Sequence, residues 1–176
     1  MKKIIVVLGV ICATVLAQAA SIDWSLTATK SNKVYGADGS TVFGKTAGDV
    51  AYLVLESELT NIMSASDVAG LAVGSADAFN NYGGVATRTA TSASLSENTQ
   101  YNFAVVLVQG DQFLVTPTIA ATTSDADTVR EAVFTYADVK ASEGGWGKGG
   151  GDVPEPTSGL LLLVGGAMLA LRRKQK

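Results

Sequence analysis

Residues 101–119 read YNFAVVLVQGDQFLVTPTI, and this stretch decides the fold. Tyr101 to Val108 is apolar apart from Asn102, too short for a helix of ordinary length and rich in strand formers. Gln109-Gly110-Asp111-Gln112 follows as a turn. Phe113-Leu114-Val115-Thr116 begins a return strand, and Pro117 sits where a strand ends or a sheet edge tolerates a missing N–H. Two apolar runs joined by a short Gly/Asp turn predict a β-hairpin.

Working outward, the same signals recur. Ile22, Trp24, Leu26 and Ala28 alternate with Asp23, Ser25, Thr27 and Thr29, which predicts a half-buried strand with Trp24 in the core. Residues 50–56 (VAYLVLE) form a continuous apolar run, as expected of a central strand. Residues 85–95 (VATRTATSASL) alternate small and polar, as expected of a surface strand. Residues 129–139 (VREAVFTYADV) predict a further strand, with Val133 and Thr135 on one face and Phe134 and Tyr136 on the other. A turn or two of helix is expected at 66–73, where Asp67 stands three residues after Ser64. Residues 80–84 (NNYGG) read as a loop. The sum is an all-β domain over 20–140, a small β-sandwich of about seven or eight strands, with a β-barrel as the second choice. No internal repeat supports a solenoid.

Both ends differ from this body. Lys2 and Lys3 precede an apolar run from Ile4 to Ala17, followed by Ala17-Gln18-Ala19. A basic start, a short apolar stretch and an A-x-A site predict a secretory signal peptide over 1–19, cut after Ala19 or Ala20 by signal peptidase. Cys12, the chain's one cysteine, lies inside that stretch behind Ile11, which does not suit a lipoprotein signal. The mature chain is then free of cysteine and histidine, so its stability rests on an ordinary core. Residues 141–152 (ASEGGWGKGGGD) are a glycine-rich linker in which Trp146 is expected to be exposed, with docking on the domain as the alternative.

Charge is segregated in the same way. Of 13 Lys and Arg, six (Lys2, Lys3, Arg172, Arg173, Lys174 and Lys176) belong to the ends. Of 16 Asp and Glu, only Glu155 does. Residues 21–153 therefore carry seven positive and 15 negative charges, a net of −8 against −3 for the whole chain. Such a surface repels nucleic-acid phosphates, so no nucleic-acid partner is expected. The basic residues at both ends flank apolar runs and belong on the cytoplasmic side of a membrane.

The tail, 153–176, reads VPEPTSGLLLLVGGAMLALRRKQK. Pro154 and Pro156 stiffen an extended peptide around Glu155. Residues 159–171 would make a helix only ~20 Å long against a hydrocarbon core of ~30 Å, a short transmembrane helix suited to a temporary stay. Val153-Pro154-Glu155-Pro156, the apolar stretch with Gly165-Gly166, and the Arg172-Arg173-Lys174 membrane stop closely resemble the PEP-CTERM sorting signal of exported Gram-negative proteins. The resemblance implies that an exosortase, a membrane-embedded enzyme, recognises and processes the tail. It implies a membrane-anchored stage before the cell surface or extracellular matrix, and an association with biofilm and exopolysaccharide. The chain would be the substrate and not an enzyme.

Without histidine the mature chain lacks a Ser-His-Asp triad or an ordinary zinc site, and no cofactor is expected. Three weaker patterns remain. Glu56 and Glu58, two apart, would share a strand face as a glycosidase pair does, which keeps a secreted carbohydrate-binding or carbohydrate-active module as the alternative function. Asp125-Ala126-Asp127 beside Ser124 has the hard oxygens of a calcium site but reads better as an acidic turn. Thr87, Thr89 and Thr91 share one strand face, too narrow alone to match a crystalline surface.

Overall fold

The computed structural model describes residues 19–125, 127–142 and 145–147. Residues 1–18 of the expected signal peptide, Ala17 among them, the sorting residues Val153 to Pro156, the helix at 159–171 and the basic Arg172-Arg173-Lys174 end lie outside the described residues, whereas Ala19 is described and exposed. So does most of the 141–152 linker. The described residues are mostly strand: β1 Ala20–Thr27, β2 Val50–Leu55, β3 Ala72–Ala76, β4 Val85–Ser92, β5 Gln100–Gln109, β6 Gln112–Val115, β7 Ile119–Thr122 and β8 Glu131–Thr135. Two short α-helices, α1 Ala65–Leu71 and α2 Tyr136–Ala141, and a 3-10 helix at Glu56–Asn61 accompany them.

The strands form two sheets, one ordered β4-β1-β8 and one ordered β3-β2-β5-β6, with β7 also paired to β5. Ile22, Trp24 and Leu26 of β1 and Phe134 of β8 face Leu53 of β2 and Phe103, Val105 and Leu107 of β5 across one core, all at most 1% exposed. This is the two-layer arrangement expected of alternating strands. At the sides, β3 runs beside β4 and β7 beside β8, without ladder pairing between the sheets. Most pairings are antiparallel, but β1 and β8 run parallel, from Asp23↔Glu131 to Thr27↔Thr135.

The hairpin lies where the sequence places it. Gln109 pairs with Gln112, and Gly110 takes the positive φ of 62° that the turn demands. Pro117 marks a break. β6 covers the second half of β5 and β7 the first half. Between them the Thr116 hydroxyl accepts the Val105 N–H at 2.9 Å, so that donor is not stranded. The continuous runs of β2 and β5 are explained by a second apolar layer. Val54, Val106 and Val108 point away from the main core and are covered by Ile62 and Val68, the latter from α1.

Three elements depart from the sequence reading, and one stretch it left unassigned folds onto the domain. The strand expected over 129–139 ends at Thr135, and α2 takes its second half. The Asp138 carboxylate accepts the N–H and hydroxyl of Thr135 at 2.7 and 2.8 Å, a capping box that starts a helix inside a run of strand formers. The strand expected over 85–95 stops at Ser92. The helix expected at 66–73 stops at Leu71, where β3 begins. Residues 30–49, without periodicity, fold back on two bridges, Thr29↔Asn32 and Tyr35↔Val42, and send Val34 and Phe43 into the core with no exposed surface.

Candidate functional site

The chain leaves the domain through a strap. After β8, α2 buries Val139, and the N–H of Gly145 donates to the Ser142 carbonyl at 2.9 Å. Gly147 then pairs antiparallel with Phe113 on the outer edge of β6, with N–H···O bonds of 3.0 Å in both directions. Trp146 packs against the main core, its ring 6.0 Å from that of Phe43. Phe43 in turn meets Phe79 edge-on at 4.9 Å. The expectation of an exposed Trp146 is therefore corrected. A bulky aromatic in a glycine-rich stretch covers part of its ring when an aromatic platform lies within reach.

Direction follows from pairing. Because 145–147 run antiparallel to β6, they reach Gly147 running toward the Gly110-Asp111 turn. The start of β1 lies at the opposite end, where Ser124 N–H donates to the Ser21 carbonyl at 2.8 Å and Thr123 N–H to the Thr99 carbonyl at 3.0 Å.

The weaker chemical patterns resolve into local structure. Glu56 and Glu58 are not on a strand, because β2 ends at Leu55; both lie in the first turn of the 3-10 helix. At three residues per turn, positions two apart face different ways. Glu56 accepts from Asn102 Nδ2 at 2.7 Å and the Thr118 hydroxyl at 3.2 Å, whereas Glu58 accepts from Asn61 Nδ2 at 2.8 Å. The strand face on which the sequence would pair them is absent. Asp125 turns its carboxylate onto the N–H groups of Asp127 and Thr128 at 3.0 and 2.8 Å. The Asp127 N–H, with Thr128 and Arg130 adding to it, holds its pKa below the usual value. That is an acidic turn with its acceptor already engaged. Among the described residues, no group of three or more His, Cys, Asp or Glu is placed to hold a metal ion.

The threonines of β4 have neighbours that sequence reading missed. On the outer face of the three-stranded sheet, the Thr89 hydroxyl donates to Asp23 at 2.6 Å. Ser25 and Thr87 both donate to Glu131 Oε1, at 2.7 and 3.2 Å. The register Asp23↔Thr89 and Asp23↔Glu131 brings these together from three strands. Their separation of up to 106 positions left no local signal. A second cluster sits at the hairpin end. Asp49, 4% exposed, accepts from Gly44 N–H at 2.7 Å, Thr46 N–H at 3.2 Å and Gln109 Nε2 at 3.0 Å, while Gln109 accepts from Ala37 N–H at 2.8 Å. These contacts fix the loop that carries Phe43, the platform for Trp146. On the same loop, the Thr41 hydroxyl and the N–H groups of Ser40 and Thr41 hold the exposed Asp38 carboxyl well below the usual carboxylate range.

No helix among the described residues is long and apolar enough to cross a membrane. No curated protein and no solved structure matches the chain. A family model does: the PEP-CTERM protein-sorting motif matches residues 152–174. That match takes in Pro154-Glu155-Pro156, the apolar stretch and the Arg172-Arg173-Lys174 end. The chain thus carries, on a strapped and mostly β domain, the PEP-CTERM sorting motif of an exported protein that an exosortase targets through a membrane-anchored stage on the way to the cell surface.

Proposed function

We propose that this protein is a non-enzymatic surface or matrix component of a Gram-negative bacterium. It enters the secretory route by a signal peptide cut by signal peptidase between Ala19 and Ala20, and is released or transferred when the exosortase processes the tail. Its domain serves as a structural or adhesive module, with exopolysaccharide as the surrounding partner. The observation that carries the reading is the motif at 152–174 joined to a folded, acidic body with a net charge of −8 in residues 21–153. The placement of Ala20 supports the first cut: it is 1% exposed and opens β1 opposite Ser92, so a cut one residue later would remove a core side chain.

Intact-mass measurement of the mature protein from cells with and without a working exosortase tests the proposal. The expected result is a chain beginning at Ala20 in both, and lacking the apolar tail only where the enzyme is present. An identical mass that includes residues 153–176 in both strains sinks the sorting half.

A further inference from the structure

The strap does something that the motif alone does not require. Gly147 is held on β6 by two hydrogen bonds, and Trp146 is held on Phe43. Pro154 lies seven residues beyond Gly147. A chain of that length spans at most ~25 Å. Counted instead from Ala141, at the end of α2, thirteen residues lead to Pro154, and the limit is ~45 Å. A body of this size has a radius of gyration of ~14 Å, hence a diameter on the order of 35 Å. The strap therefore changes the tether from longer than the body to shorter than it.

We propose that Trp146 and Gly147 are positioning residues for the sorting reaction, resting on the sorting reading above. They fix the tail's departure point on the β6 edge beside the hairpin turn. The processing enzyme, embedded in the membrane, then meets the motif with a folded body crowding it and with the hairpin end facing the membrane. The strap slows processing, and its release admits the enzyme. Phe43 and Phe113 are the receiving surfaces. The Asp49–Gln109 contacts act one step further back, by holding the Phe43 loop.

Two measurements on the full chain test this. The first uses trypsin, because Lys148 directly follows the strap. A protease must draw residues 145–147 into its cleft to cut there, which requires local opening. In detergent-solubilised protein, Trp146→Ala should raise the rate of cutting after Lys148 about tenfold, the factor for losing ~1.4 kcal/mol of local protection. Trp146→Phe, which keeps a ring against Phe43, should stay near the wild-type rate. Equal rates in all three chains would mean that the strap holds nothing.

The second follows conversion of the full-length to the tail-processed form by pulse-chase in cells with the exosortase. Trp146→Ala should shorten the half-time about threefold or more, as should six Gly/Ser residues inserted after Gly147 with the strap intact, since both lengthen the tether. The combined variant should gain little beyond the insertion alone. An unchanged or longer half-time in Trp146→Ala overturns the positioning role. Processing that survives Pro154→Ala with Glu155→Ala overturns the sorting reading itself, and the role of the strap with it. The trypsin result would then still stand as a property of the fold.

Discussion

The two sheets solve the same problem in opposite ways. The three-stranded sheet buries one face and leaves the other wet: along β8, Ala132 and Phe134 are buried while Glu131, Val133 and Thr135 are exposed. The five-stranded sheet buries both faces of its central strands, so that Phe103, Ala104, Val105, Val106 and Leu107 all have no exposed surface. The difference is supplied by one short insertion. The 3-10 helix and α1 between β2 and β3 lay Ile62 and Val68 over the outer face of the larger sheet. The smaller sheet has no such cover among the described residues, and its outer face is finished by hydroxyls bound to Asp23 and Glu131. An alternating strand and a continuous one therefore record which side of a sheet a helix covers, beyond the presence of a strand.

A charge placed on each outer face should break the comparison most sharply. Val106→Asp buries a carboxylate between β5 and the helical cover, where it has no partner. The variant is expected to lose several kcal/mol and to be largely unfolded at room temperature by circular dichroism. Val133→Asp, on the wet face at 47% exposure, should lower the free energy of unfolding by no more than about 1 kcal/mol. Similar losses from both would mean that the smaller sheet is covered too.

A milder probe sharpens the wet face alone. Glu131→Ala removes the acceptor shared by Ser25 and Thr87, and urea unfolding should show a cost of about 0.5–1.5 kcal/mol. If Ser25→Ala in that background costs as much as it does in the wild type, the two residues are not coupled.

The smallest effect concerns the helical cover. The Ser64 hydroxyl, with the N–H groups of Ser64 and Met63, lowers the Asp67 pKa below 3.8. A carboxyl whose folded pKa is depressed contributes stability that is fully present above the unfolded value, near 3.8. That contribution is lost as pH falls through the lower folded value. Thermal melts between pH 5 and 2 should therefore show a shallower acid loss in Asp67→Asn than in the wild type. Parallel curves would count against the cap as a titrating anchor.

Much of this was legible in the sequence, for reasons that differ by element. β1, β2 and the β5–β6 hairpin were readable because their burial patterns are written in residue type at fixed spacing. The cap of α1 was readable from Ser64 and Asp67. β3 was not, because AVGSA contains almost no strand former. Its glycine is there for contact: a Cβ on Gly74 would lie 2.5 Å from the Ala90 Cβ and 3.4 Å from Trp24 Nε1, so the strand is selected by closeness between sheets. α2 was hidden because its cap begins within a strand. Glu56 and Glu58 misled because a two-residue spacing says nothing once the strand has ended. The tail was legible without any fold, since its motif is a fixed order of residue types. The strap was the opposite case: Trp146 means little until Phe43, about a hundred positions away, is seen beneath it.

The parallel pairing of β1 with β8 sets a clock on the exported chain. A polypeptide that crosses the membrane from its N-terminus presents Asp23 first. Its β4 partner Thr89 follows 66 residues later, and Glu131 arrives 106 residues after Ser25. Until then β1 has one open side and the inner faces of both sheets lack Phe134. Pairings at such separation form slowly. On the proposed secretory route, the domain would close only after nearly all of it is outside, with the sorting tail next in line.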